Sequence, residues 1–236
     1  MIKLYVCEIS NLIEEVKADE NALQTYFDKL GRGRIEHILK NCKAEDRARA
    51  LGASLLLLFA LNNDSYEMEK LPEFSFMENG KPYFAEQPEL FFNLSHSGNY
   101  VLCVLGDCEM GVDIERVRSI KGNTKNRVFT EKEKVMTLGN EAGYIRLWTM
   151  KEACAKLQGT GLKEILSGLE IFVEDDKVKI KKLNQNITKA FHCVVSAEGK
   201  ITDCSEVVYY YSVCTHEDTL VESIFAKWGN HTITLS

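Results

Sequence analysis

Asp113 and Glu115, in the run Gly111-Val112-Asp113-Ile114-Glu115, are the residues whose types and spacing say most about chemistry. The apolar flanks read as a buried strand, and side chains two apart on a strand share a face. Two carboxylates turned the same way repel each other and lose hydration. They are tolerable where water reaches them or a cation lies between them. A hard divalent ion such as Mg²⁺ suits a pair of carboxylate oxygens and shares itself with substrate phosphates. The pair therefore points to a magnesium–phosphate site. An isolated D-x-E more often ends a strand at the solvent, so the stronger reading needs partners elsewhere in the chain.

A second acidic cluster lies in Trp148-Thr-Met-Lys151-Glu152-Ala-Cys-Ala-Lys156. On a helix Trp148, Glu152 and Lys156 are four apart and share a face. As a surface pair, Glu152 and Lys156 contribute only about 0.3–0.5 kcal/mol. The adjoining Trp148 implies a partly buried face, where a third carboxylate for a metal and a cation for phosphate oxygens make better sense. A third element is Phe92-Asn-Leu-Ser95-His96-Ser97-Gly98, a strand that runs into a turn offering hydroxyls, an imidazole and backbone N–H groups, a nest for phosphate. A Ser-His-Asp hydrolase is disfavoured. Adjacent Ser95 and His96 do not form the nucleophile–base hydrogen bond, and no G-x-S-x-G turn is present.

Taken together these stretches resemble the 4′-phosphopantetheinyl transferases, specifically the larger single-chain type acting on carrier domains of peptide and polyketide synthases. The resemblance rests on Glu78-Asn-Gly80-Lys81-Pro82, Asn93-Leu-Ser95-His96-Ser97-Gly98, Gly111-Val-Asp113-Ile-Glu115 and Trp148-x-x-Lys151-Glu152-x-x-x-Lys156-x-x-Gly159-x-Gly161-Leu162. Asp46-x-x-Arg49 and Phe129-Thr-Glu-Lys-Glu133 extend it on either side. Each motif is weak alone; the ordered set is specific.

The resemblance implies coenzyme A as donor and an apo acyl or peptidyl carrier protein as acceptor, with release of adenosine 3′,5′-bisphosphate. By position, Asp113, Glu115 and Glu152 correspond to magnesium ligands and Lys156 to a lysine on the pyrophosphate. Ser95 and His96 match phosphate contacts, His96 near the 3′-phosphate. Lys81 and Pro82 match a loop against the nucleotide, and Arg49 a basic contact to it. Glu133 falls where the family has a proposed general base, with a metal-bound water as the competing candidate. Where relatives carry lysines for the 3′-phosphate this chain has Arg34 and His37; Arg34 replaces one of them, and His37 adds little charge at neutral pH. The implied fold is α+β, two similar lobes in pseudo-twofold arrangement, residues 1–106 and 107–236, with the active site in the cleft between them. A coenzyme-A-binding partner without transfer activity and a magnesium-dependent phosphohydrolase are the rival functions.

The elements that must position these residues follow from pattern. Lys3 to Ile9 alternates as a strand, and Asn11 to about Asn41 reads as helical, broken at Gly31-Arg32-Gly33-Arg34. Asp46 is expected to cap a helix running to about Leu61. The three prolines, 72, 82 and 88, mark a loop-rich stretch with a turn at Asn79-Gly80. Short strands at 90–94, 100–105 and 110–114, a helix from Glu141 to about Gln158 ended by Gly159, and mostly strands from Ser167 complete an α+β pattern without regular alternation.

Composition sets the outer limits. The chain of 236 residues is 45% hydrophobic and 27% charged, long enough for one large domain or two small ones. A net charge of −6 argues against a general nucleic-acid binder. The longest apolar run, Leu55 to Leu61, is too short to cross a bilayer, and the N-terminus lacks a signal-peptide pattern. The eight cysteines are scattered without C-x-x-C, as expected of buried thiols in a reducing compartment. A cytoplasmic monomer is expected. Residues 116–127 hold five basic side chains and no acid; this loop is expected to steer and dock an acidic carrier protein.

Overall fold

A computed structural model describes residues 1–160, 168–183 and 192–236; Gly161 and Leu162 of the Trp148 motif, Ser167 and Phe191 lie outside the described residues. In chain order the elements begin with β1 (Ile2–Glu8), α1 (Ser10–Ala18), a 3₁₀ helix (Glu20–Lys29), α2 (Arg32–Leu39) and α3 (Ala44–Asn63). There follow β2 (Ser75–Phe76), β3 (Pro82–Tyr83), β4 (Phe91–Ser97), β5 (Tyr100–Gly106) and β6 (Met110–Arg116). Then come α4 (Gly122–Val128), α5 (Glu131–Met136), α6 (Glu141–Gln158), β7 (Leu169–Glu174) and β8 (Lys177–Lys182). The last strands are β9 (His192–Thr202), β10 (Val208–Thr215), β11 (Val221–Gly229) and β12 (Thr232–Leu235). Helices and sheets are mixed without regular alternation, an α+β architecture. Among the described residues no helix is long and apolar enough to cross a membrane.

The chain divides into two compact units, Met1–Cys108 with Glu222–Ser236, and Glu109–Val221. The first boundary falls two residues after the expected position, and the final residues return to the first unit, where the sequence had placed them in the second. They do so as β11 and β12, giving a sheet of order β12-β11-β1-β5-β4. Alternation in a strand shows that one face is buried, not which sheet buries it.

In the first unit β1 lies antiparallel to β5, Ile2 opposite Gly106 and Glu8 opposite Tyr100. On this sheet packs α3, whose residues from Ala48 to Leu61 are almost all buried, as a helix apolar on every side must be. Just past its end, Asp64 accepts hydrogen bonds from Lys3 Nζ at 2.6 Å and Tyr5 OH at 3.0 Å, tying α3 to β1. The helix starts two residues before the expected cap. Lys43 is the N-cap and Asp46 lies in the first turn, where a carboxylate is favoured by the helix dipole.

Two further differences concern glycine and serine. The expected break falls at Leu30 and Gly31, between the 3₁₀ helix and α2, and is shorter than expected because Gly31 already opens the next helix. It is the N-cap of α2, and Gly33 and Arg34 are helical. A Cβ at Gly31 would lie 2.4 Å from the Glu73 carboxyl carbon, so a larger residue there would displace the exposed Glu73 side chain from the start of α2. Ser95, His96 and Ser97 are not a turn either. They extend β4 and pair with Leu102, Val101 and Tyr100 of β5, so their backbone belongs to a sheet ladder where a nest was expected.

The second unit is a sheet of order β6-β10-β9-β8-β7 with α6 packed on β6 and β10. Asn140 caps α6 by accepting from Gly143 N at 2.7 Å, and Gly159 ends it in the left-handed region at φ +67°, as the sequence predicts. The register sets Gly111 opposite Cys214 and Asp113 opposite Ser212. Ser212 and Thr149 of α6 hydrogen bond at 2.9 Å in the buried layer. A Cβ on Gly111 would stand 2.1 Å from Ala153 O and 2.4 Å from Leu157 N, so the helix backbone lies directly on the strand.

Because the clash at Gly111 is with backbone, no rotamer change relieves it. Gly111→Ala is expected to destabilise the protein by about 3 kcal/mol, the upper range for overpacking. Urea denaturation measures it; a loss under about 1 kcal/mol would show that α6 and β6 separate easily.

Candidate functional site

The strand face that carries Gly111 toward α6 also carries Asp113 and Glu115. Asp113 is 5% exposed and accepts a hydrogen bond from Lys156 Nζ at 2.8 Å. Glu115 stands 3.5 Å from the Arg118 guanidinium. One turn before Lys156, Glu152 has its carboxyl pushed up from 4.5 to about 7, first by burial and then by the charge on Asp113, with Glu115 adding to it and Lys156 opposing it. The three predicted metal-binding acids and Lys156 thus occupy one electrostatic neighbourhood of the second unit. Among the described residues no group of three or more His, Cys, Asp or Glu side chains is already drawn in to metal-ligating distance. The donor set nevertheless fits a hard dication: all the ligating atoms are carboxylate oxygens, and the repulsion that raises Glu152 is what a cation removes.

Glu133, the expected base, is in a different setting. It is fully buried, and together with Thr130 it forms a capping box at the start of α5. Its Oε2 accepts from Thr130 N and from Lys151 Nζ, both at 2.8 Å, and its Oε1 accepts from Ile171 N at 2.8 Å. Lys151 is also fully buried and gives its other two protons to Val128 O and Leu169 O, each at 2.6 Å. Burial pulls the Lys151 ammonium below its ordinary value while Glu133 pushes it back up. This pair was not assigned a role from sequence, although Thr130-x-x-Glu133 carries the capping-box signature.

Just past the end of β6 a cavity of about 210 Å³ is lined by Arg118, Ser119, Ile120, Lys121, Thr124 and Trp148. The Trp148 indole N–H is buried there with no hydrogen-bond partner among the described residues. Lys125 of the basic loop is already committed, donating to Glu141 at 2.6 Å and lying over the Tyr144 ring.

In the first unit the predicted nucleotide-binding residues fall into two groups. Arg49 donates to Asp46 Oδ1 at 2.6 Å and to Gly98 O at 3.2 Å, at the β4–β5 turn. Asp46 is held below its ordinary value by Arg49, with smaller help from Lys43 and the nearby His96. Ser95 is 5% exposed and His96 is exposed. The second group surrounds another cavity of about 210 Å³ that brings Arg34, His37 and Pro82 together with Glu73, Phe74 and Phe76. Lys81, in the β2–β3 loop beside Pro82, is 8% exposed and does not line it. Arg34 is turned inward, donating to Ser54 Oγ at 2.7 Å and Ala50 O at 3.2 Å beneath the Phe74 ring, and burial lowers it to about 10. Glu73, Phe74 and Phe76 were not found from sequence; only the fold brings them to α2.

Three carboxylates gathered around one lysine, in an α+β chain, are a charge arrangement suited to handling phosphoryl groups. Residues 109–211 match the family described as the 4′-phosphopantetheinyl transferase superfamily. The chain is 31% identical to 4′-phosphopantetheinyl transferase psf-1 of Bacillus pumilus over 86% of its own length and 91% of that protein's. It belongs to the 4′-phosphopantetheinyl transferase family, and is a transferase. It is also 30% identical to 4′-phosphopantetheinyl transferase Sfp of Bacillus subtilis strain 168, over 56% of this chain and 61% of Sfp. With 4′-phosphopantetheinyl transferase AcpT of Escherichia coli K12 the identity is 38%, over 44% and 57%.

The raised Glu152 carboxyl gives a signed pH dependence. Between about 4.5 and about 7 the folded protein keeps a proton that the unfolded chain releases, so stability falls as pH rises through that window. Glu152→Gln is expected to flatten this slope and to leave the metal-free protein about 2 kcal/mol more stable at pH 8. Added Mg²⁺ should raise the thermal midpoint of the native protein and not of the variant. A variant no more stable at pH 8 than the native chain would show that Glu152 is not under this strain.

Proposed function

We propose that the chain transfers the 4′-phosphopantetheine group of coenzyme A to a serine of an apo acyl or peptidyl carrier protein, releasing adenosine 3′,5′-bisphosphate, in a magnesium-dependent reaction. The observation that carries this reading is the mutual neighbourhood of Asp113, Glu152 and Lys156, in a chain of this family. Asp113, Glu115 and Glu152 are the residues to hold Mg²⁺, which when bound neutralises charge on the pyrophosphate oxygens and holds them in line for displacement.

The chain's own groups do the rest. The serine hydroxyl gives its proton to solvent water as its oxygen bonds to the β-phosphorus, the bond to the adenosine 3′,5′-bisphosphate oxygen breaks, and the electron pair leaves with that oxygen. Lys156, extending from Asp113, contributes the protein's positive charge to the same oxygens as charge shifts onto them. Glu133 serves by fixing Lys151, and through it the helix that carries Glu152. Its oxygens are committed to three N–H donors away from solvent, which does not suit a group that must meet a serine hydroxyl. Ser95 and His96 are assigned to the donor's phosphates, and Arg49 to a basic contact with its nucleotide. Lys81, Pro82 and Arg34 are assigned to its nucleotide end.

Intact-mass measurement of apo carrier proteins incubated with the purified protein, coenzyme A and Mg²⁺ tests the reading. Addition of one phosphopantetheine group per carrier is the expected result. Asp113→Ala should remove transfer by a factor of at least about 10³ while leaving a folded protein, since the change deletes a repelling charge and not a core contact. Normal turnover by that variant, or inorganic phosphate as the product, would sink the assignment.

Carrier docking on residues 116–127 is the second part of the proposal. Arg118 faces Glu115 and Lys125 is tied to Glu141, so the exposed cations left to meet an acidic partner are led by Lys121 and Arg127. Lys121→Glu with Arg127→Glu is expected to weaken carrier affinity about tenfold at low salt, with coenzyme A affinity unchanged. Equal carrier affinity in the doubly reversed protein would place docking elsewhere.

A further inference from the structure

The cavity of the first unit that carries Arg34 also carries an acid. Glu73 reaches across to the start of α2, and its Oε1 and Oε2 lie 3.4 and 3.3 Å from the Gly33 N–H, which donates to them. The carboxylate lies close over Gly31 as well, where an added Cβ would come within 2.4 Å of it. The carboxylate therefore takes a helix-start donor that an incoming phosphate would otherwise use.

The other charged groups that line the cavity do not outweigh it. Arg34 has already given Nε and Nη2 to Ser54 and Ala50. His37 is held below its ordinary value by burial and then by Arg34 and Lys40, so it is neutral at pH 7. One cation turned inward and one carboxylate seated at the helix start leave the cavity close to electrically neutral. Its remaining walls, Phe74, Phe76 and Pro82, suit a flat apolar face such as a nucleobase and do not select for phosphate.

We propose that Glu73 is a specificity-determining residue that opposes the 3′-phosphate of the donor, so that this protein accepts 3′-dephospho-coenzyme A nearly as well as coenzyme A. The inference rests on the transferase reading and on the placement of the donor's nucleotide end beside Arg34 and Pro82. It concerns selection between donors, not the chemistry at Asp113. Because Glu73 is exposed, its effect is that of a solvent-screened charge.

The test compares kcat/KM for coenzyme A and for 3′-dephospho-coenzyme A, each with one apo carrier protein, in the native protein, Glu73→Gln and Glu73→Ala. The native protein should use the two donors within about threefold of each other, and both variants should shift the ratio toward coenzyme A by about fivefold, mainly through KM. Calorimetry with adenosine 3′,5′-bisphosphate and with adenosine 5′-monophosphate should show the same shift without any turnover. A native preference for coenzyme A above about a hundredfold, or a ratio unchanged in both variants, overturns the role of Glu73 while leaving the transferase reading standing. Failure to use either donor overturns the transferase reading and this inference with it.

Discussion

The contact on which the second unit depends is the backbone approach of α6 to β6 at Gly111. Ala153 O and Leu157 N occupy the space that any side chain at that position would need. The approach fixes the axial and rotational position of α6, and the Thr149–Ser212 hydrogen bond repeats the constraint on β10. Asp113 lies two residues along the strand from Gly111, while Glu152 and Lys156 lie beside Ala153 and Leu157 on the helix. Once helix and strand touch at Gly111, a buried carboxylate, a second carboxylate and an ammonium have little choice but to meet. The raised Glu152 carboxyl is the electrostatic consequence of that geometry.

The Lys151–Glu133 pair fixes the same helix from its other side. Removing two charges from water costs several kcal/mol per ion, and such a pair is retained only when nearly every donor and acceptor is met. Here all three ammonium protons have acceptors, and both carboxylate oxygens have donors. Those partners belong to α5, β7 and the end of α4, so one side chain orients four segments. Lys151 and Glu152 are adjacent on α6 and differ by about 100° around it. A rotation that exposed Lys151 would bury Glu152 among carbonyl oxygens. The ion pair thus contributes orientation more than stability, and it keeps the acid turned toward Asp113.

Legibility followed the range of the interactions. Asp113, Glu115, Glu152 and Lys156 were readable because periods of two and nearly four place them on one face of a strand and of a helix, whatever surrounds them. The end of α6 at Gly159 was readable for the same local reason. The seat of Glu73 was not, because it depends on a loop some forty residues away folding back onto α2; the sequence shows only a glycine pair that looks like a helix break. Arg34 reads as a free cation, and only the packing of α2 on α3 reveals that Ser54 and Ala50 hold it. The return of residues 222–236 to the first sheet was equally hidden. In contrast, the burial of Glu133 had a local signal, since Thr130-x-x-Glu133 is what a capping box looks like, and a carboxylate that caps a helix is less available for proton transfer.

The settings around Asp113 and around Arg34 differ in charge. Around Asp113 three acids face Lys156 and Arg118, so an added dication would turn the local charge in favour of an anionic ligand. Around Arg34 the single cation is matched by Glu73, and the surface offered is aromatic. On the transferase reading, affinity for the donor's charged middle is then conditional on the metal, while its nucleotide end is held by shape and stacking. Charge selection is concentrated where the bond changes occur, and the far end is left permissive. A protein arranged in this way discriminates poorly by the number of phosphates its donor carries at the ribose and strictly by whether a diphosphate is present to share the cation.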